Sequence, residues 1–161
     1  MGLASVGWRM PPLKFARVVS FSSESPTHPA TNLLTKVLLL LRPKKGVLKC
    51  YQGKWACKEE GEEEAWVILQ LEEMSIVSDL DLGNNGAAFI EVQVGRLGME
   101  VKNYQTLLVA SSFMSPGEAR LGDMTNRVRM FGSDKLSTAV AREKWDMVKV
   151  VATQPFTKHT R

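Results

Sequence analysis

The chain has 161 residues, 44% apolar and 24% charged, a globular mixture that holds one ordinary domain and excludes disordered, collagen-like and disulfide-scaffold classes. Its net charge of +4 is polarised: residues 1–58 carry ten Lys or Arg against Glu24 alone, residues 59–101 carry eleven acids against Arg96 alone, and residues 102–161 carry ten bases against five acids. Such blocks give separate basic and acidic faces, and a basic face admits nucleic acid as a partner because neutralised phosphates release counterions.

From the N-terminus, Met1-Gly2-Leu3-Ala4-Ser5-Val6 approaches a myristoylation signal, but Val6 stands where that signal needs Ser or Thr. No charged start leads into a long apolar core, so a secretory signal is not expected. Residues 1–9 read as an extension and residues 10–161 as a single domain. Leu13 to Phe21 is a strand pattern that stops at a Ser-rich turn, and Pro29 to Leu34 a short helix. Val37-Leu38-Leu39-Leu40-Leu41 ends at Arg42-Pro43-Lys44-Lys45 and falls far short of the roughly 20 apolar residues that span a bilayer, so no membrane partner is expected. Trp66 to Leu71 and Ile76 to Leu82 read as two strands, the second leading into the turn Gly83-Asn84-Asn85-Gly86.

Ala88 to Gly95 then alternates, with Phe89 and Glu91 on one face and Ile90, Val92 and Val94 on the other. Further strands are expected over Tyr104 to Ser111, Arg127 to Phe131 and Met147 to Thr153. A helix is expected over Asp134 to Lys144, with Ser133 as its cap. Many short strands with little helix predict an all-β fold, an antiparallel β-sandwich with two short helices.

Chemistry is sparse. No Ser lies in a G-x-S-x-G setting, and His28 and His159 stand near opposite ends of the chain. Five acids among residues 59–64 read as a solvated loop before a strand. Cys50 and Cys57 lack the further ligands that zinc needs, so no metal or other cofactor is expected. These features predict a binding module, neither an enzyme nor a receptor for a small-molecule substrate. Arg127, Arg129, Lys135, Arg142 and Lys149 are candidates for contacting phosphates, and Phe89 for anchoring a protein partner.

Several segments carry a resemblance. Phe15 to Ser23, Thr27 to Leu34, Leu82 to Val92, Leu107 to Pro116, Asn126 to Gly132 and Lys144 to Lys149 stand in an order that resembles the amino-terminal domain family of the X-ray repair cross-complementing scaffold of single-strand break repair. The blocks cover most of Met10 to Phe156, and Phe113-Met114-Ser115-Pro116 and Arg127-Val128-Arg129-Met130-Phe131-Gly132 have little generic meaning. The resemblance implies a galactose-binding-domain-like jelly roll and a nuclear, non-catalytic base excision repair module. Such a module binds damaged (nicked or gapped) DNA and docks DNA polymerase beta. It also implies that Phe89 and Thr106 belong to the polymerase-facing surface, with Glu91 and Arg129 near it.

Four departures from the family accompany the match. Thr106 replaces a usual Val, and its hydroxyl, if buried without a partner, would cost about 1–3 kcal/mol. The family's redox-switching cysteine pair corresponds to Phe21 and Pro29, which cannot form a disulfide. Residues 37–50 form a Leu-rich insert where the family has a shorter connection. The family would also continue into one more strand beyond Arg161, and losing it would leave an open edge. The alternative these departures raise is a protein-interaction module with weakened or lost DNA binding, or a truncated variant that folds poorly.

Overall fold

The computed structural model describes residues 13–34, the backbone of residues 45–50, and residues 54–158. The N-terminal extension, the leucine run 37–41 and its tail Arg42 to Lys44 lie outside the described residues.

The alternating apolar residues form β1 (Phe15–Phe21), β2 (Lys45–Cys50), β3 (Glu64–Gly83), β4 (Phe89–Gly95), β5 (Gln105–Ser112), β6 (Val128–Phe131) and β7 (Trp145–Thr153). The two strands expected over 66–71 and 76–82 are one 20-residue strand, β3. Its polar centre, Glu72-Glu73-Met74-Ser75, bends the strand and does not end it. The pairing with β7 shifts register between Gln70 and Ser75, and buried Ser75 donates its hydroxyl to the Glu73 carbonyl.

This bend lets β3 serve two layers. Its first half pairs antiparallel with β1 and β7, giving the strand order β1-β3-β7-β4-β5. Its second half pairs antiparallel with β6 and parallel with β2. The architecture is the expected mostly antiparallel β-sandwich. The parallel β2–β3 pair departs from the expected pattern, and it turns Lys45–Cys50 of the expected insert into a strand.

Between the layers lie Val67, Leu69 and Leu71 from one half of β3 and Val77, Leu80 and Leu82 from the other, with Trp145, Phe113, Val92 and Val148, all fully or almost fully buried. The indole of Trp145 donates to the Val140 carbonyl at 2.8 Å, so the largest core side chain leaves no polar atom unpaired.

The helices correct the expectations in part. The first is a 3-10 turn, Ala30–Leu33. The expected helix over 134–144 shrinks to α2 (Thr138–Ala141) with Ser137, not Ser133, at its start. Gly132 closes a turn by accepting from the Lys135 amide, the Ser137 amide is tied to the Leu107 carbonyl of β5 so the helix starts only at Thr138, and Trp145 is already extended in β7. An unexpected helix, α1 (Pro116–Leu121), follows β5. Ser115 accepts from the Glu118 amide while the Glu118 carboxylate accepts from the Ser115 amide, and Gly122 ends the helix at φ 67°.

The turn before β4 is built by Asn84. Its side-chain oxygen accepts from the Asn85 and Ala87 amides, and its nitrogen donates to the Ala87 carbonyl. Gly86 takes φ 90° there, and the chain re-enters the sheet at Phe89.

Candidate functional site

Strand alternation decides what β4 shows to solvent. Ile90, Val92 and Val94 are buried, so Phe89, Glu91 and Gln93 share the outward face. Antiparallel register carries this face sideways: Phe89 lies opposite Thr153 and Ser112, Glu91 opposite Val151, and Gln93 opposite Lys149 and Thr106. Trp66 of β3 lies opposite Val151, and the Lys149 ammonium sits 5.3 Å from the centre of its ring. The five-stranded sheet thus presents an apolar stretch, Phe89, Val151 and Trp66, around one acid. Phe89 is only partly buried, and its ring packs at 5.7 Å against Phe156 with a 60° tilt.

Glu91 is held from two sides. The Gln93 amide nitrogen donates to its Oε1 at 2.7 Å, and the Thr106 hydroxyl donates to the same oxygen at 3.5 Å. In the free chain the Thr106 hydroxyl thus has an acceptor.

Arg129 borders this surface. β6 turns Val128 and Met130 outward and Arg129 and Phe131 the other way. The Arg129 guanidinium lies over the rings of Phe131 and Phe113, at 4.7 and 5.5 Å, and donates to the carbonyl of Ser112, the register partner of Phe89. Arg127, just before β6, follows a similar course: it donates to the Phe113 carbonyl at 2.7 Å and pairs with Glu118 at 2.8 Å. Both guanidinium groups share one side, as the spacing predicts, but that side faces the end of β5.

The five candidate phosphate contacts do not form one patch. Arg127 and Arg129 tie β6 to the end of β5. Lys149 belongs to the face of Phe89 and Glu91. Lys135, in the turn after β6, has an exposed ammonium 4.0 Å from Asp134, and Arg142 stands where α2 ends. Gln93, Val151, Trp66 and Phe156 are surface members that sequence reasoning missed. Gln93 was legible, standing two residues from Glu91 on an alternating strand, whereas Phe156 lies outside any strand pattern.

Among the described residues no group of three or more His, Cys, Asp or Glu could share a metal ion, and no helix is long and apolar enough to cross a membrane. Burial, and after it the charge of Glu62, pushes the Cys57 thiol up, the opposite of an activated nucleophile.

Glu118 has a pH consequence. The Arg127 hydrogen bond, and after it the Ser115 amide, hold its carboxyl below the usual carboxylate range. A lowered folded value gives stabilisation that is complete above the unfolded value and is lost as pH falls through the folded one. The Ser115 amide, 2.8 Å from Glu118, is the reporter. Its proton chemical shift should move only below the ordinary glutamate range of about 4.3, and Glu118→Gln should flatten that titration. An unchanged profile in the variant would contradict the assignment.

Comparison with known proteins places these features. A family profile described as the XRCC1 N terminal domain matches residues 10–161. "DNA repair protein XRCC1" of Homo sapiens is 44% identical over 151 residues, covering 92% of this chain and 22% of that protein. The Mus musculus protein is 42% identical over 153 residues with the same coverage. The chain thus spans 22% of the length of these curated relatives. A crystal structure of reduced XRCC1 bound to the DNA pol beta catalytic domain is similar at a TM-score of 0.80 and 43% identity, covering 92% of this chain and 90% of that one. The solution structure of the N-terminal domain of the single-strand break repair protein XRCC1 gives 0.75 and 43%, covering 94% and 93%. A chitosan-binding module from Paenibacillus sp. IK-5, at 0.55 and 16% identity over 92% and 89% of the two chains, shares the sandwich fold.

Proposed function

The chain belongs to the XRCC1 N-terminal domain family, and from that premise we propose that it is a non-catalytic DNA-repair module of the nucleus. In this reading it docks the catalytic domain of DNA polymerase beta in single-strand break and base excision repair. The docking surface is the outer face of β4 and β5, with Phe89 as the apolar anchor, Glu91 and Thr106 beside it, and Arg129 at its border. The observation that carries the reading is the convergence of Phe89, Glu91 and Thr106, from two paired strands, onto the outward side of one sheet, with Arg129 of β6 reaching the Ser112 carbonyl at its edge. The similarity to a relative described in complex with that catalytic domain supports it.

Damaged DNA is the second proposed partner. Of the five candidate cations, Lys135 and Arg142 are the two that are exposed. A second reading has a specific observation in its favour. Arg127 and Arg129 donate to main-chain carbonyls and to Glu118, as expected of a protein-interaction module whose DNA surface is weak.

One experiment separates the two readings: titration of gapped and of intact duplex at low and high salt, alongside the polymerase catalytic domain. Repair-module function predicts tighter binding of the gapped duplex at both salt concentrations, and polymerase binding as well. Polymerase binding with equal, salt-labile affinity for the two duplexes would favour the interaction module, because phosphate attraction alone does not distinguish a gap.

A further inference from the structure

Among the described residues Glu91 is a carboxylate with two donors and no paired cation. Gln93 and Thr106 face each other across β4 and β5, and both donate to Oε1 of Glu91. Only an amide N–H and a hydroxyl are offered, so the charge is oriented without being neutralised. Val151 lies opposite in β7, and Phe89 stands two residues back on the same face. Lys149, in register with Gln93, has its ammonium over the Trp66 ring, and among the described residues no cation is ion-paired with Glu91.

We infer that Gln93, assisted by Thr106, is a positioning residue of the docking surface: it fixes one carboxylate oxygen of Glu91 so that the other, Oε2, is presented beside Phe89 to an arginine or lysine of the partner. The inference rests on the docking reading above and deepens it by specifying what the partner must carry, a cationic side chain next to an apolar contact. The physical reason is preorganisation. A free glutamate loses rotamer freedom when it pairs, and a carboxylate already held by two donors loses less. Charge-assisted hydrogen bonds gain most where apolar neighbours exclude water, and Val151 and Phe89 supply that setting. The 2.7 Å bond from Gln93 is the stronger tie, and the 3.5 Å contact from Thr106 the weaker.

The test is a double-mutant cycle on the whole chain, read as affinity and dissociation rate for the polymerase beta catalytic domain at low and high salt. Gln93→Leu should weaken binding roughly tenfold, mostly through faster dissociation. Thr106→Val should have a smaller effect. In a Glu91→Gln background, Gln93→Leu should add almost nothing, because its role passes through the carboxylate, and the salt dependence should flatten. Thermal melts of all variants confirm that the fold is retained. If Gln93→Leu has no effect, or weakens binding equally in both backgrounds while Phe89→Ala still abolishes it, the positioning role is overturned and the docking reading stands. If the chain binds no better than Phe89→Ala, the docking reading is overturned, and the positioning role with it.

Discussion

Replacing Trp145 by Ala should lower stability by about 3–5 kcal/mol, the usual cost of truncating a large core aromatic. For a domain of this size that is a melting temperature drop of roughly 10–15 °C. Trp145 has no exposed surface and sits where the chain leaves α2 and enters β7. Its indole donates to the Val140 carbonyl, and the Arg96 guanidinium lies 4.4 Å from the ring centre. Arg96 itself pairs with Glu143 and donates to the Lys144 carbonyl. Truncation would therefore empty a core site, remove the indole donor from the Val140 carbonyl, which the Glu143 amide still reaches, and release the β4 end from the start of β7. Trp145→Phe keeps most of the volume but loses the hydrogen bond, so its cost should be clearly smaller. Equal losses for the two variants in a denaturant titration would show that the indole hydrogen bond, and not the volume it fills, makes the larger contribution.

Phe89→Ala should weaken binding of the polymerase beta catalytic domain by at least about 30-fold, equivalent to roughly 2 kcal/mol. The residue combines a partly exposed ring, a rigid strand position and a border of polar groups, the usual setting of an interface hot spot. The cost to the fold should be modest by comparison. The ring packs on Phe156 near the end of the described chain and not on the main core. Surface plasmon resonance gives the affinity, and a melt within a few degrees of the unsubstituted chain excludes unfolding as the cause. Unchanged affinity in a folded variant would remove Phe89 from the interface. Phe156→Ala separates the two contributions: as a support for the ring it should weaken binding less than Phe89→Ala.

What is legible in the sequence is set by range. The alternation of β4 is local and places Phe89 and Glu91 on the outward face correctly. The Asn84 turn depends on contacts within a few residues, and it too is legible. The capping box Ser115-Pro116-Gly117-Glu118, closed by Gly122, is equally local, yet the helix it starts is short and carries almost no apolar periodicity to mark it. The bend in β3 looks like a break between strands, since Glu72-Glu73 interrupts the apolar run. Only pairing partners on both sides show that the strand continues. Register, not pattern, assigns the guanidinium groups. Arg127 and Arg129 look like free cations in the chain, and the carbonyls they reach belong to residues 14 and 17 positions away. The same holds for Thr106, whose partner lies 15 residues earlier on the neighbouring strand. Sequence distance hides its acceptor, so a paired hydroxyl reads as an unpaired one.

Amide hydrogen exchange of the chain, alone and saturated with the polymerase beta catalytic domain, tests the docking surface most directly. Added protection is expected on residues 89–93 and 105–112, extending to 149–151 in β7 and to Arg129 at the border, with α1 and the β2–β3 pair unchanged. Protection confined to β6, α1 or the β2–β3 pair, with β4 and β5 exchanging as in the free chain, would contradict it.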